Sequence, residues 1–153
     1  MSFNDIYNVI QVSDEIVTSG QPTADQLRSL AEDGFTTVIN LTTIDPHHSL
    51  ADEAGLVQAL GLHYYHIPVD WRNPQESDFL AFEQVMTRLL PGKTLIHCAA
   101  NFRVTAFYSL FAQKHLGWSA AQADAFRARI WAGSVNPVWE AFIARIRRQI
   151  SAG

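Results

Sequence analysis

Short runs of apolar and β-branched residues alternate along the chain with longer segments in which apolar residues recur every three or four positions. The short runs predict β-strands, and the longer segments predict amphipathic helices. Strands that alternate with helices pair in parallel through right-handed crossovers. The pattern therefore predicts an α/β fold with a central, mostly parallel sheet flanked by helices. The strands are expected within residues 7–20, 36–41, 63–69 and 94–96.

Several helix starts are marked by residues that cap free backbone N–H groups. Thr23 with Gln26 has the pattern of a capping box, and Ser119 with Gln122 repeats it. A third cap is expected at Asn73, which is followed by a proline at the first helical position. The last helix is expected to bury one apolar stripe, formed by Val138, Phe142, Ile146 and Ile150.

Length and composition indicate a single globular domain over residues 1–153. A chain of 153 residues buries about two-thirds of the surface that it exposes when unfolded, so no second core is needed. With 48% apolar and 17% charged residues, the disordered and fibrous classes are excluded. The net charge of −4 argues against nucleic acid and anionic membrane as partners, because both require a basic surface.

Cysteine content and the first residues predict a cytoplasmic location. One cysteine cannot form an internal disulfide, which suits a reducing compartment. The opening residues MSFNDIYN have neither the basic stretch nor the apolar run of a secretory signal. No apolar segment approaches the length of a membrane span.

The candidate chemistry is concentrated in one segment, KTLIHCAANFRVTAFYSL, which predicts a buried strand, a short loop and a helix. The strand ends at His97 and Cys98, and the helix begins near Arg103. Free N–H groups and the helix dipole make a helix N-terminus an anion-binding site. A thiol beside such a terminus and a cation ionises more readily than a free thiol. The segment therefore predicts a nucleophile inside an anion site.

The motif HCAANFRVT resembles the phosphate-binding loop of the cysteine-dependent protein phosphatases, in which His-Cys, five residues, Arg and then Ser or Thr surround a phosphate. Four residues, not five, separate Cys98 from Arg103 here, whereas Thr105 falls where the hydroxyl of that family would lie. Two alignments are open. Either the loop is one residue short, or the arginine has moved back one place and Val104 occupies its usual position.

The wider pattern SGQPT, TTVINLT, HIPVD and HCAANFR resembles a bacterial family of small dual-specificity-like phosphatase domains, the DUF442 type. Some relatives of that family are fused to a metallo-β-lactamase-like, sulfur-metabolising domain. The resemblance covers about residues 11–111. It implies the dual-specificity-phosphatase-like fold with a sheet of four or five strands.

The resemblance also implies roles for individual residues. Cys98 would be the nucleophile, and Arg103 would hold the phosphate. Asp70, directly after HIPV, would protonate the leaving group. The His97 ring would hydrogen-bond loop backbone, and the Thr105 hydroxyl would hydrogen-bond the thiolate. The remaining phosphate-binding positions are the loop residues Ala99, Ala100, Asn101 and Phe102.

Further positions are weaker candidates for contact with a ligand. Trp71 and Phe102 are expected to form an aromatic lip, and Gln21 in the GQP turn is expected to touch the ligand or to shape the turn. No metal or other cofactor is expected, because no cysteine or carboxylate set completes a coordination geometry. The histidines considered for it lie at positions 47, 48, 63 and 66.

Three functions fit the segment around Cys98. The first is a phosphomonoester hydrolase with a phosphocysteine intermediate. The second is sulfur transfer through a persulfide, because the rhodanese loop also spans Cys, four residues and Arg. The third is a catalytically weak module that binds phosphate. The expected partner is a phosphorylated substrate, or a free phosphate or sulfate anion, and the sequence leaves the substrate and the oligomeric state open.

Overall fold

The structure, a computed structural model, describes residues 3–45 and 49–152. Within them the strands are β1 (Ile10–Gln11), β2 (Ile16–Ser19), β3 (Phe35–Asn40), β4 (His63–His66) and β5 (Lys93–His97). The helices are α1 (Ala24–Leu30), α2 (Glu53–Ala59), α3 (Glu76–Met86), α4 (Phe102–His115), α5 (Ala120–Trp131) and α6 (Pro137–Ala152). Short 3-10 turns lie at Phe3–Asp5 and Ala31–Asp33.

The described strands form one sheet in the order β1-β2-β5-β3-β4. Only β1 is antiparallel to its neighbour, so the prediction of a mostly parallel sheet is confirmed. The register places Ser19 of β2 and Asn40 of β3 beside His97 of β5, and His66 of β4 beside Asn40. Four strands therefore end at one edge, where open α/β sheets bind ligands.

Successive residues of each strand face opposite layers of helices. Leu95 of β5 and Val38 of β3 pack with the helices α1 and α2 in one cluster. Ile96 and Ile39 pack on the other face with α3, α4, α5 and α6. Helix α4 is central to this second layer, since every residue from 103 to 112 is buried. Its fixed position holds the loop that precedes it.

Two helix predictions are wrong in detail. Helix α3 begins at Glu76 and is capped by Gln75 rather than Asn73, because the Asp78 carboxylate accepts a hydrogen bond from the Gln75 amide at 2.9 Å. In α6, Val138 is 46% exposed, and the larger Trp139 is buried in its place. The indole buries more apolar area than the valine side chain, and this favours the observed rotation of the stripe.

The strand predicted at residues 63–69 ends at His66, but the chain beyond it stays attached to β3. The Ile67 and Val69 amides donate to the Asn40 and Leu41 carbonyls at 2.9 and 3.1 Å. This extended segment carries the chain to Asp70 at the ligand-binding edge of the sheet.

Candidate active site

Cys98 follows β5 directly and is 1% exposed. Its amide donates to the Ser19 carbonyl at 3.2 Å, which continues the pairing of β5 with β2. The residue lies in a cleft of about 310 Å³. The lining of this cleft consists of Trp71, Cys98, Ala99, Ala100, Phe102 and Arg103.

Two carbonyl groups of the loop that begins at Cys98 contact residues outside the cleft. The Ala99 carbonyl accepts from the Gln21 amide at 2.9 Å, and the Cys98 carbonyl lies 3.3 Å from His97 Nδ1. The C=O and the following N–H of a trans peptide point in opposite directions. The Ala99 and Ala100 amides therefore point away from these partners.

Gly20 allows the loop to approach β2 this closely. A Cβ atom at position 20 would lie 2.7 Å from the Ala99 carbonyl oxygen and 2.7 Å from the Tyr7 ring. Glycine is thus needed here because two segments of backbone meet, although its own φ is unexceptional. The Asn8 side chain adds a further hydrogen bond to the loop, at 3.1 Å from the Ala100 carbonyl.

Asn101 turns the loop into α4. It is fully buried with φ of 71°, in the left-handed region that asparagine tolerates better than most residues. Its Nδ2 donates to the Asn8 carbonyl at 2.9 Å and to Thr18 Oγ1 at 3.1 Å. The Thr105 hydroxyl shares its one proton between the Asn101 carbonyl at 2.8 Å and the Phe102 carbonyl at 3.1 Å, so it braces the first turn of the helix.

Arg103 extends from that first turn to the opposite wall of the cleft. Its Nη1 donates to the Val69 carbonyl at 2.8 Å, and the residue is 9% exposed. The bond ties α4 to the segment that carries Asp70. Val104, which takes the usual arginine position in the second of the two alignments, is fully buried in the core. Arg103 is therefore the side chain that faces the cleft.

Beneath the loop, His97 and Glu53 of α2 form a buried hydrogen-bonded pair. Glu53 Oε2 lies 2.7 Å from His97 Nε2, and its other oxygen accepts from Gln21 Nε2 at 2.8 Å. Burial raises the pKa of Glu53. The hydrogen bond and charge of His97 lower it, as do the hydrogen bonds from Gln21 and Tyr64, and together they outweigh burial. The net result is a pKa below the usual 4.5.

Tyr64 of β4 completes this buried network. Its hydroxyl accepts from Asn40 Nδ2 at 3.0 Å. Burial and the Glu53 carboxylate raise the pKa of Tyr64 to about 12, although the hydrogen bond with Asn40 acts to lower it. The phenol therefore stays neutral and hydrogen-bonds Glu53. Sequence reasoning missed both Glu53 and Tyr64, since neither belongs to the motif that contains Cys98.

Asp70 lies on the loop after β4 but does not line the Cys98 cleft. It is exposed, and its Oδ1 accepts from the Arg72 amide at 2.9 Å. Trp71, the next residue, does line the cleft. Its ring stacks on Trp139 of α6 at 5.3 Å between centroids, and Trp139 Nε1 donates to the Trp71 carbonyl at 2.8 Å. The loop is thus fixed by the last helix.

A second cleft, of about 400 Å³, adjoins the first at Ala99 and Arg103. It includes Gln21, one of the predicted ligand contacts. The other residues that line it lie before and after residues 46–48, which are outside the described part of the chain. Sequence reasoning missed them as candidates. They are Thr42, Thr43, Asp45 and Ser49.

Within residues 3–45 and 49–152, no group of three or more histidine, cysteine, aspartate or glutamate side chains has an arrangement that would hold a metal ion. His47 and His48 lie outside the described residues. In the same part of the chain, no helix combines the length and apolar content needed to cross a bilayer.

Comparison with known proteins gives both close and distant relatives, although no protein-family model matches the chain. The beta-lactamase hydrolase-like protein of Xylella fastidiosa, in strains Temecula1 and 9a5c, is 28% identical over 105 residues, which are 67% of this chain. The chain spans about a quarter of the length of these curated relatives, because the match covers 24% of each.

A proposed phosphatase of the DUF442 family from Shewanella putrefaciens CN-32 is similar over nearly its whole length. It is 30% identical and superposes with a TM-score of 0.86 over 97% of this chain and 96% of that chain. The chain belongs to the DUF442 family. The family resemblance predicted from the sequence is therefore confirmed.

The DUF442 fold is also shared with more distant phosphatases. The core catalytic domain of the PP-IP phosphatase SIW14 from S. cerevisiae, in complex with citrate, is 16% identical. It superposes with a TM-score of 0.75 over 96% of this chain and 93% of that chain. The predicted dual-specificity-phosphatase-like fold is confirmed by these superpositions.

Proposed function

We propose that this DUF442 protein hydrolyses a phosphomonoester through a phosphocysteine intermediate at Cys98. The observation that carries the proposal is one cleft that contains both the thiol and the Arg103 guanidinium, at the N-terminus of the buried helix α4. Among the described residues that line this cleft, Arg103 is the one with a charged side chain. A site of this charge favours an anion.

Three groups are proposed to bind the phosphate oxygens. The amides of Ala99 and Ala100 point away from the partners that hold the loop, which leaves them directed to the cleft side. The N-terminus of α4 adds partial positive charge. Arg103 supplies a planar set of donors that matches an oxyanion, and its bond to the Val69 carbonyl fixes the guanidinium in place. The same groups would stabilise the Cys98 thiolate.

In the first step, the Cys98 thiolate attacks phosphorus, so that an S–P bond forms and the ester P–O bond breaks. The departing oxygen takes a proton from Asp70. In the second step, a water oxygen attacks phosphorus and passes its proton to the Asp70 carboxylate. The S–P bond breaks, and inorganic phosphate and the thiolate are released. The loop and Arg103 hold the charge of the transferred group throughout.

Asp70 is proposed as this acid because of its neighbours in the chain. The preceding residue, Val69, accepts a hydrogen bond from Arg103, and the following residue, Trp71, lines the cleft. These two contacts on either side of Asp70 support its proposed role as the acid. Trp71 and Phe102, whose rings are 6.1 Å apart, are proposed to form the lip that contacts the leaving group.

The proposal is tested with p-nitrophenyl phosphate and the variants Cys98→Ser and Asp70→Asn. We expect Cys98→Ser to abolish hydrolysis, and Asp70→Asn to lower kcat by about 100-fold or more, as for loss of a general acid. Asp25→Asn, an exposed carboxylate on α1, is the matched control and should leave kcat unchanged. Undiminished hydrolysis by Cys98→Ser would refute the proposal.

Two further assays separate the other functions. Transfer of sulfur from thiosulfate to cyanide that depends on Cys98 but not on Asp70 would indicate a sulfurtransferase instead. Binding of phosphate or sulfate to the wild-type protein, measured by calorimetry, with neither activity would indicate a binding module. Both outcomes contradict the hydrolase proposal.

A further inference from the structure

Two peptide groups begin the loop after Cys98, and their N–H groups belong to Ala99 and Ala100. The carbonyl of the first lies 3.3 Å from His97 Nδ1, and the carbonyl of the second accepts a hydrogen bond from the Gln21 amide at 2.9 Å. Because a peptide group is planar, the direction of each carbonyl also fixes the direction of the N–H group. His97 and Gln21 therefore orient the two amides that are proposed to bind phosphate.

The Glu53 carboxylate contacts both of these residues, one with each oxygen. Oε2 lies 2.7 Å from His97 Nε2, and Oε1 accepts a hydrogen bond from Gln21 Nε2 at 2.8 Å. The two oxygens of a carboxylate are held at a fixed separation by its covalent geometry. The imidazole and the amide side chain are therefore fixed relative to one another, and a displaced carboxylate would disturb the supports of both peptide groups.

Glu53 is itself held from several sides. Its side chain is 6% exposed and lies in the first turn of α2. It also hydrogen-bonds the Tyr64 hydroxyl, which accepts from Asn40 Nδ2 at 3.0 Å. Since the pKa of Glu53 is below its usual 4.5, both oxygens accept hydrogen bonds at neutral pH. The carboxylate thus has a defined position from which it can hold its neighbours.

The turn that carries Gln21 has little space to move away from the loop. Gly20 and Ala100 form an isolated β-bridge, and a Cβ atom at position 20 would lie 2.7 Å from the Ala99 carbonyl oxygen. The two segments of backbone are therefore in direct contact. A shift of Gln21 would displace the loop with it.

Stability alone does not account for a carboxylate at this position. Removal of a carboxylate from water is costly, and well-packed apolar side chains of similar volume are often at least as stabilising. A buried network in which the polar groups are satisfied instead imposes one rigid arrangement. Residues that touch a substrate keep their geometry when a surrounding set of hydrogen bonds supports them.

We infer that Glu53 is a positioning residue for the proposed reaction. It acts through His97 and Gln21, and it keeps the two loop amides directed at the phosphate without touching the substrate. Donors that are fixed before the reaction stabilise the transition state without reorganisation. The inference rests on the proposed hydrolase function, because the phosphate is the group at which these amides are directed.

The kinetic test compares two variants of the same helix, Glu53→Gln and Val57→Ala. Val57 is fully buried, so its truncation also lowers stability but leaves the hydrogen bonds of Glu53 intact. At a temperature where circular dichroism shows both variants folded, kcat/KM for p-nitrophenyl phosphate should fall about tenfold or more in Glu53→Gln. It should stay near the wild-type value in Val57→Ala. Equal losses in the two variants, or none in Glu53→Gln, would overturn the inference.

A binding measurement separates the inference from the proposed function. Inorganic phosphate is titrated by calorimetry into the Cys98→Ser protein, alone and combined with each change in α2. We expect the Kd to rise about tenfold or more with Glu53→Gln and to change little with Val57→Ala. This result without any ester hydrolysis by the wild type would refute the proposed function alone. An unchanged Kd with Glu53→Gln would overturn the inference, and no phosphate binding to Cys98→Ser would overturn both.

Amide NMR signals show whether the loop itself is affected. In the Cys98→Ser protein, phosphate should shift the signals of Ala99 and Ala100, and Glu53→Gln should alter both signals before phosphate is added. Tyr64→Phe removes a single hydrogen bond of Glu53 and should change the same signals less, which keeps the test open if Glu53→Gln does not fold. Unaltered loop signals in the folded variants would overturn the inference.

Discussion

Glu53 Oε2 lies 2.7 Å from His97 Nε2, and the two side chains are only 6% and 0% exposed. The pair joins the first turn of α2 to the end of β5, directly below the loop that starts at Cys98. His97 Nδ1 lies 3.3 Å from the Cys98 carbonyl. The carboxylate therefore orients the imidazole that supports the proposed nucleophile.

Glu53→Gln is expected to destabilise the protein by about 2 kcal/mol, because it replaces the charged acceptor of two hydrogen bonds, from His97 and Gln21, by a neutral amide. Urea unfolding followed by circular dichroism measures the change. The matched control is Glu140→Gln, which breaks a more exposed pair with Arg127 and should cost at most about 1 kcal/mol. Equal losses in the two variants would contradict a special role for the buried pair.

The lowered pKa of Glu53 predicts a dependence of stability on pH. Because its pKa is lower in the folded than in the unfolded protein, its contribution is complete above about pH 4.5 and is lost as the pH falls through the folded pKa. The difference in unfolding free energy between wild type and Glu53→Gln should therefore shrink below pH 4.5. Other carboxylates are common to both proteins and cancel, so a constant difference between pH 7 and 3 would refute the prediction.

Asn101 combines a left-handed backbone with two buried hydrogen bonds from Nδ2. Asn101→Ala should lose both bonds and place in the left-handed region a residue that tolerates it less well than asparagine, at a total cost of about 2–3 kcal/mol. Asn101→Gly loses the same bonds but adopts the backbone freely, so it should be about 1 kcal/mol more stable than Asn101→Ala. Thermal and urea unfolding of the two variants give this order, and its reversal would contradict the argument.

Trp139 holds the loop between Asp70 and α3 through its bond to the Trp71 carbonyl. Trp139→Phe keeps an aromatic ring but leaves that carbonyl without its donor, which should cost about 1–2 kcal/mol. We also expect kcat for p-nitrophenyl phosphate to fall several-fold, since the loop that carries Asp70 is no longer fixed. The control is Trp118→Phe, which changes an indole that packs on Tyr108, and it should leave kcat unchanged.

The parallel sheet and the position of Cys98 were predictable because their signals are local. Apolar runs such as TLI before His97 specify a buried strand, and the residues that follow specify a loop and a helix within a few positions. The capping boxes at Thr23 and Ser119 are confirmed for the same reason, since each box involves residues only three apart. The cap expected at Asn73 is wrong because Gln75 and Asp78 offer a competing pair two residues later.

The family resemblance, the order of strands and helices, and the loop that carries Cys98 and Arg103 could be predicted from the residues, because their signals lie in short segments of the chain. The pairing of His97 with Glu53, 44 residues away, and the meeting of the two clefts became visible only in the folded molecule. A carboxylate in the first turn of a helix is ordinary in sequence. Its partner is fixed by how the helix packs on the sheet, and that packing is set by the summed burial of residues from the whole chain.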